Sequence, residues 1–475
     1  MSEEPTTLKK RFLFGLSAFP DQLTYQSFTI LVFTYYFAVV GIPIFQMWVA
    51  FVVWGLWNAI NDPLLGALSD RTKQKGKIGK RRFYMLISLI PLSLIMTLIF
   101  WVPIGNSFVS LIYFIIIIMT FELVYTMFSV NVNAVFPEMF PTEEERAKTN
   151  IFIKGLTILA VICASIIPTL IISPIVPLEK NPPIATTLHF QMMYITAGLV
   201  LMIIILVTGL IFIAKGVEEK EENIEDFEKR PSFFQSLKIS FKNKTFLKFT
   251  FANMCIWYCF TTLLTIFPLY WVFVLGIKRE SILIGISLML ALIVAGISLA
   301  FHIKLRQKLG TRNALMVTLG LWIILLFPFV LLYDSPEMRM LAIFITATQG
   351  LALGGALFYV DIIIGDVIDA DEVQFGVKRS ASYYGVNAFI HRFSQILSIT
   401  TIALVFTGSG WSSYEPAKGV NIVLGLKLII FLFPAIFLLI AIIFLNSFEL
   451  HGKKLEEMRN ELAKIHGRST ANTIK

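Results

Sequence analysis

The chain is divided into about twelve apolar stretches, each long enough to cross a lipid bilayer, which takes about 20 residues as a helix. Their approximate limits are 13–40, 44–69, 82–104, 108–137, 150–175, 190–215, 245–276, 281–303, 313–333, 337–368, 380–408 and 421–447. Backbone groups inside lipid must bond within their own segment, so stretches of this length read as helices. Several exceed the bilayer thickness, which predicts tilted or bent spans. Charged residues make up 15% of the 475, and hydrophobic residues 56%. A soluble protein of this length carries more charge, so we read an all-α, multi-pass membrane protein. The basic start KKRFLFGLSAF is followed by Asp21 and Gln22, then by more apolar sequence. It reads as a retained first span and not as a cleaved signal.

The net charge of +9 sits in loops. Most of it falls on one side: Lys9 to Arg11, Arg71 to Arg82, Arg146 and Lys148, 215–248, 304–312, Lys378, Arg379 and the tail. The positive-inside rule puts that side and both termini in the cytoplasm of a cell (plasma) membrane. No basic and aromatic surface is left for nucleic acid. Cys163, Cys255 and Cys259 lie in apolar segments with no His nearby and read as core. No HExxH or GxSxG pattern marks an enzyme.

The hydrophilic stretch from Gly216 to Lys244 falls after the sixth span. It divides the chain into a bundle at 1–215, a central loop at 216–244, a second bundle at 245–447 and a tail at 448–475. Within the loop, Phe234, Leu237 and Phe241 have the spacing of an interfacial helix. Leu455, Met458, Leu462 and Ile465 suggest another in the tail. The basic, Gly-containing loops after spans two and eight occupy matching places. Two related six-helix halves point to a transporter architecture with a site between them near mid-bilayer.

A charge at the bilayer centre costs about 2.5–3.5 kcal/mol on insertion scales, so each one asks for a function. Asp21, Asp62, Ser129 and Lys154 are expected at one depth, with Glu122 farther out and Asp361 and Arg392 in a similar central layer. On span two, Asn58, Asp62 and Gly66 share a face, and Pro63 frees a backbone carbonyl. Such oxygens suit a small cation or a proton. On span four, Glu122, Thr126, Ser129 and Asn133 form a polar stripe. The competing reading makes Asp62–Lys154 and Asp361–Arg392 plain interhelical ion pairs, a poor source of stability when buried. Lys427 lies near a span end and is expected to snorkel.

Four segments carry a resemblance: WNAINDPLLGALSDRT, NAVFPEMFPTEEERAKTN, PSFFQSLKISFKNKTFLKF and GDVIDADEVQFGVKRSASYYGVNAFIHRFSQ. Taken in order over nearly the whole chain, they resemble the glycoside–pentoside–hexuronide:cation symporters, the melibiose permease-like branch of the major facilitator superfamily. The resemblance implies twelve helices in two six-helix pseudo-repeats, alternating access, and uptake of a sugar-like solute with Na+, Li+ or H+. It places Asp62 at a cation-site carboxylate and Asn58 at that of a second one. Gln22, beside Asp21, falls at a sugar-binding Asp, and Ser129 at an Asp of span four. Lys154 stands for a sugar-binding Arg, and Arg392 for a basic residue of span eleven. Glu122, with Thr126, is the candidate replacement carboxylate of the cation site.

Substrate contacts are therefore expected from Asp21, Gln22, Ser129, Asn133, Lys154 and Arg392. The coupling ion, Na+ or H+, is expected at Asp62 and Asn58 with no other cofactor, in a monomer. A cytoplasmic gate is expected to pair Arg71, Arg81 and Arg82 with Glu138, Asp366, Asp369 and Asp371. The same branch includes sodium-coupled lysophospholipid symporters, and the Phe-rich spans would suit an amphiphile, so that is the second reading. A non-transporting sensor is the third, although neither loop nor tail is long enough for a signalling domain.

Overall fold

The computed structural model describes residues 7–71, 79–140, 143–179, 183–218, 241–277, 281–375, 380–416 and 420–473. Most of the central loop, with its expected interfacial helix, lies outside the described residues, as do the side chains of Asp62, Arg71 and Glu138. Every described element is helical. We number the spans α1 (8–39), α2 (Ile44–Arg71), α3 (Lys80–Leu98), α4 (Ser107–Met139), α5 (Glu143–Ile171) and α6 (Ile184–Ile211). The second set is α7 (Lys244–Phe273), α8 (Ile282–Leu309), α9 (Thr311–Leu326, continued by Pro328–Leu331), α10 (Pro336–Phe375), α11 (Ser380–Gly408) and α12 (420–446). A tail helix, α13, runs over Lys453–Thr473.

Among the described residues, ten helices are long and apolar enough to cross a membrane. The other two spans are α1 and α2. In α1, helical pieces Leu8–Gly15 and Thr24–Thr34 alternate with wider π-turns at Phe19–Leu23 and Tyr35–Val39. Pro20, which has no N–H to donate, sits in the first of these turns. In α2 the apolar run covers Ile44–Asn58 and gives way to the Asn–Asp–Pro stretch. The sequence reading ended span ten near residue 368, but α10 continues to Phe375 and keeps the acidic run Asp366–Glu372 helical. At about 1.5 Å per residue its 40 residues reach about 60 Å, twice the hydrocarbon thickness.

The packing repeats with a shift of six spans. α2 lies on α4 as α8 lies on α10, and α3 meets α4 and α6 as α9 meets α10 and α12. α1 packs on α5 and α6 as α7 packs on α11 and α12. The contacts between the sets also pair up, α5 with α8 and α2 with α11, while α1 meets α7. Two six-helix bundles thus face each other about a pseudo-twofold. Inside a membrane, such contacts rest on close packing of small residues. A Cβ on Gly350 of α10 would come within 1.9 Å of the Ala291 carbonyl oxygen on α8. Across the bundle boundary, a Cβ on Gly285 of α8 would meet Thr169 Oγ1 of α5 at 2.3 Å.

Gly350→Leu is therefore expected to force α8 and α10 apart, at a cost of about 1–3 kcal/mol or more. Thermal unfolding of the purified protein measures it. An unchanged midpoint would mean that the two backbones do not need this approach.

Candidate functional site

The wide turn at Phe19–Leu23 places Asp21 at the centre of the first bundle. Its Oδ1 accepts a hydrogen bond from the Tyr125 hydroxyl of α4 at 2.8 Å, and its Oδ2 accepts from Gln22 Nε2 at 2.8 Å. Ser129, one turn from Tyr125, is a further hydrogen-bond neighbour of Asp21. Gln22 thus orients the carboxylate beside it. One turn on, Tyr25 lies against the Tyr125 ring with centroids 5.1 Å apart. Its hydroxyl is 3.4 Å from Arg392 Nη1 and accepts a hydrogen bond from Gln395 Nε2, both of α11. Tyr25 therefore joins the first bundle to the second.

Glu122 is fully buried in α4. Its carboxylate accepts from Trp54 Nε1 of α2 at 3.1 Å and from Thr126 Oγ1 at 3.4 Å. The guanidinium of Arg392 reaches it across the bundle boundary, Nη2 to Oε1 at 3.6 Å. On the same face of α2, Asn61 Nδ2 donates to the Glu122 carbonyl and Trp57 Nε1 to the Met119 carbonyl. Among the described residues, the fully buried Asn58 finds a hydrogen-bond partner for neither amide atom. Such orphans are rare in folded proteins.

This arrangement corrects the Asp361–Arg392 pair weighed from the sequence, while Asp62 of the other pair has its side chain outside the described residues. Arg392 meets Glu122, not Asp361. Lys154 meets Asp361, Nζ to Oδ2 at 3.7 Å. The side chains of Lys154 and Asp361 are 70% and 69% exposed although both lie deep within their helices. The pair joins α5 of the first bundle to α10 of the second, and Asn133 of α4 is exposed as well. Residue counting puts Arg392 and Asp361 in one layer but does not give the rotation of their helices. The tight α2–α11 contact, where Gly55 faces Ile396, brings Arg392 against α4 instead.

The end away from the basic loops is closed by rings from both bundles. Trp411 lies within 5.4 Å of Phe37, 4.8 Å of Phe273 and 4.7 Å of Phe406, centroid to centroid. The segment after α11 straps the bundles together: Ile44 N donates to the Ser412 carbonyl at 2.9 Å, and Tyr414 Oη to the Pro177 carbonyl at 2.5 Å. The sequence reading missed this closure. The run GWSSYEP, aromatic in a short loop, was the available signal.

At the basic end, Asp366 accepts from Arg459 Nη2 of α13 at 2.8 Å, and Asp371 from the Tyr383 hydroxyl at 2.7 Å. Arg82 donates to the Ala214 carbonyl, Arg81 is buried, and Asp369 is half-buried. The tail helix packs on α10 with Met458 buried, so its apolar face is at least partly covered by protein.

Residues 13–452 match the family model described as MFS/sugar transport protein. The chain belongs to this family. It is a membrane transporter and not an enzyme. A protein of Salmonella typhimurium that carries the provisional name sulfoquinovose importer is 24% identical, over 96% of this chain and 93% of its own length. The sodium-dependent lysophosphatidylcholine symporter 1 of Gallus gallus is 22% identical, over 99% and 92%. In fold, a bacterial homologue of the human lysosomal transporter Spinster, solved inward-facing and unoccupied, superposes with TM-score 0.63 at 12% identity, over 97% of this chain and 99% of its own. In this family member, then, the polar network lies where the two halves meet.

Arg392→Ala strands a buried carboxylate and is expected to cost about 3–5 kcal/mol near neutral pH. Asp361→Asn breaks an exposed pair and is expected to cost less than about 1 kcal/mol. Thermal unfolding ranks the two, and equal losses would mean that Glu122 does not depend on Arg392.

Proposed function

We propose that this protein is a symporter that uses Na+ or H+ to carry a sugar-like solute into the cell by alternating access. The observation that carries the reading is the network of Asp21, Tyr125, Tyr25, Arg392 and Glu122 at the bundle boundary, with an aromatic closure at the end away from the basic loops. Buried charge in a span generally marks a pathway. Family membership and a relative named for a sulfonated sugar support a sugar-like solute.

In this reading the bundles at 1–215 and 245–447 rock about the solute, joined by 216–244. The basic end is cytoplasmic with both termini and the tail at 448–475, in the plasma membrane. The transporter acts as a monomer. Asp21, held by Gln22 and Tyr125, takes the solute hydroxyls with Ser129 and Asn133, while Lys154 and Arg392 take any anionic group. Asp62, Asn58, Glu122 and Thr126 serve the coupling ion, and the unpartnered Asn58 amide offers it a free carbonyl oxygen. When the cytoplasmic end closes, Arg71, Arg81 and Arg82 approach Glu138, Asp366, Asp369 and Asp371. Asp366 must then give up Arg459.

A second reading, symport of a lysophospholipid or similar amphiphile, has its own support. A small cavity at the bundle boundary has Phe28, Phe33, Phe51 and Trp54 on its wall, with Thr29, Thr265, Gln395 and Ser398, an apolar and polar mixture that suits part of an amphiphile. The Gallus gallus relative points the same way.

Uptake into proteoliposomes decides between them. The panel holds neutral sugars, uronates, a sulfonated sugar and a lysophospholipid, each under a Na+ gradient, a pH gradient or neither. A sugar or sugar acid should be driven by one gradient. Asp21→Asn should lower that uptake about tenfold or more, as for loss of a charge-assisted hydrogen bond. Gradient-driven uptake of the lysophospholipid alone would put the second reading first, and no driven uptake at all would remove the first.

A further inference from the structure

Leu455, Met458 and Leu462 have the spacing of a lipid-surface helix, yet α13 packs on α10 of the second bundle. Met458 is buried there, and Leu455 and Leu462 are half-buried. Beside Met458, Arg459 Nη2 donates to Asp366 Oδ1 of α10 at 2.8 Å. The Arg459 side chain is 48% exposed and that of Asp366 only 11%. In the alternating-access reading, that same carboxylate receives the first bundle when the basic end closes.

The joint between α12 and α13 is fixed to the second bundle. Arg312 of α9 donates from Nε to the Leu445 carbonyl at 2.7 Å and from Nη2 to the Asn446 carbonyl and side chain. Its Nη1 donates to His451 Nε2 at 2.6 Å. Lys248 of α7 donates to the Ser447 carbonyl at 2.8 Å and to Glu449 at 3.0 Å, and Phe448 is buried. A strap held by two spans at its base cannot wander far from α10.

Beyond the joint the chain can swing. Gly452 turns it with φ 54°, a conformation that glycine adopts without steric cost. A Cβ there would meet nothing within 4 Å. Under the first turn of α13 lies a cleft of about 200 Å3. Glu449, Leu450 and Lys454 form one wall, and Asp371 and Gln374 of α10 stand opposite. The first turn is therefore not packed down. The contact that closes the strap, Met458 with Arg459, lies about two turns past the pivot.

We propose that α13 is a hinged clasp: it pivots at Gly452 and, by holding Asp366, biases the protein towards the conformation with the basic end open. This rests on the alternating-access part of the symporter reading and adds its regulation. Because the joint ties α13 to the second bundle, Arg459 travels with Asp366 when the bundles rock. The first bundle gains that carboxylate only when the clasp swings aside. Arg306 of α8 also acts on Asp366, but it belongs to the same bundle and favours neither conformation. A contact made in one conformation and lost in the other shifts the balance by its own free energy. Exposed ion pairs add little. Here one partner is shielded and Met458 seals the contact, so the bias is several-fold and not absolute.

Thr265→Cys reports the balance, in a full-length background with Cys163, Cys255 and Cys259 replaced by Ala. Thr265 is buried in a cavity shared with Phe33, which meets Phe406 of the aromatic closure, so opening that end exposes it. A membrane-impermeant maleimide is added from the aromatic side with no solute present. Rates are normalised to the same thiol in denatured protein. Arg459→Gln should speed labelling about threefold or more, and Met458→Asp should do the same. Arg459→Lys, which keeps the charge, should stay near the unsubstituted rate. In an Asp366→Asn background, Arg459→Gln should add nothing. Unchanged or slower labelling in Arg459→Gln would overturn the clasp, as would an effect that persists in full without the Asp366 charge. Should Met458→Asp fail to fold, the half-exposed Arg459 still gives the answer alone. Faster labelling in Arg459→Gln with no driven uptake in the panel would keep the clasp and remove the symporter. Driven uptake with unchanged labelling would do the reverse.

Discussion

A carboxylate buried at the middle of a membrane protein must be neutralised by something, and in this chain the neutralising group for Glu122 comes from the other half. That single fact organises the centre of the molecule. Trp54 fixes one carboxylate oxygen and Asn61 anchors the backbone of the same turn, so the carboxylate is held in place on the side of the first bundle. Arg392 is held by Tyr25 as well, so the guanidinium bridges two helices of the opposite bundle. Rocking the halves changes the charge balance at Glu122 before it changes much else. A hydrophobic contact would give way gradually, whereas a buried ion pair resists separation and leaves a penalty when it is broken.

The pseudo-twofold explains why the charge can be shared in this way. Because α5 packs on α8 as α11 packs on α2, the boundary is built from two equivalent seams with α1 and α7 between them. Residues on α1, α2, α4 and α11 therefore converge near the axis, where displacement per degree of rocking is small. The aromatic closure lies far from that centre, where displacement is large, and it is made of ring contacts and a strap of two hydrogen bonds. Directional polar contacts sit where the motion is least, and forgiving aromatic ones sit where it is greatest.

The spans were legible because lipid leaves a chain so few choices. Apolar length located the ten spans that form long apolar helices among the described residues, with α1 and α2 less regular, and the charges within the spans pointed to Asp21, Glu122, Lys154 and Arg392. Their partners were not legible. Residue counting fixes depth along a helix but not its rotation or the seam it faces, so Arg392 and Asp361 share a layer without meeting. The π-turn around Asp21 was also hidden, since Pro20 announces a disturbance without giving its form. The acidic run of α10 looked like a loop by composition, yet it stays helical because α13 and Tyr383 supply partners for Asp366 and Asp371. The aromatic closure lay in a loop too short to attract a span-based reading.

The two ion pairs differ in a way that divides the work between them. Lys154–Asp361 is open to water, so each member can trade its partner for a solute group at little cost, because exposed pairs contribute little to begin with. Glu122–Arg392 is shielded, so only a species small enough to enter a nearly dry site can replace the guanidinium. A solute with hydroxyl or anionic groups fits the first position, and a bare ion or proton fits the second. Tyr25 and Tyr125 are in ring contact, with one hydroxyl on Arg392 and the other on Asp21. A solute that moved either ring would shift Arg392 relative to Glu122, and release of the guanidinium would in turn loosen the solute site. Coupling in this geometry needs no long pathway, because Asp21 and Arg392 are joined through two tyrosine rings in contact.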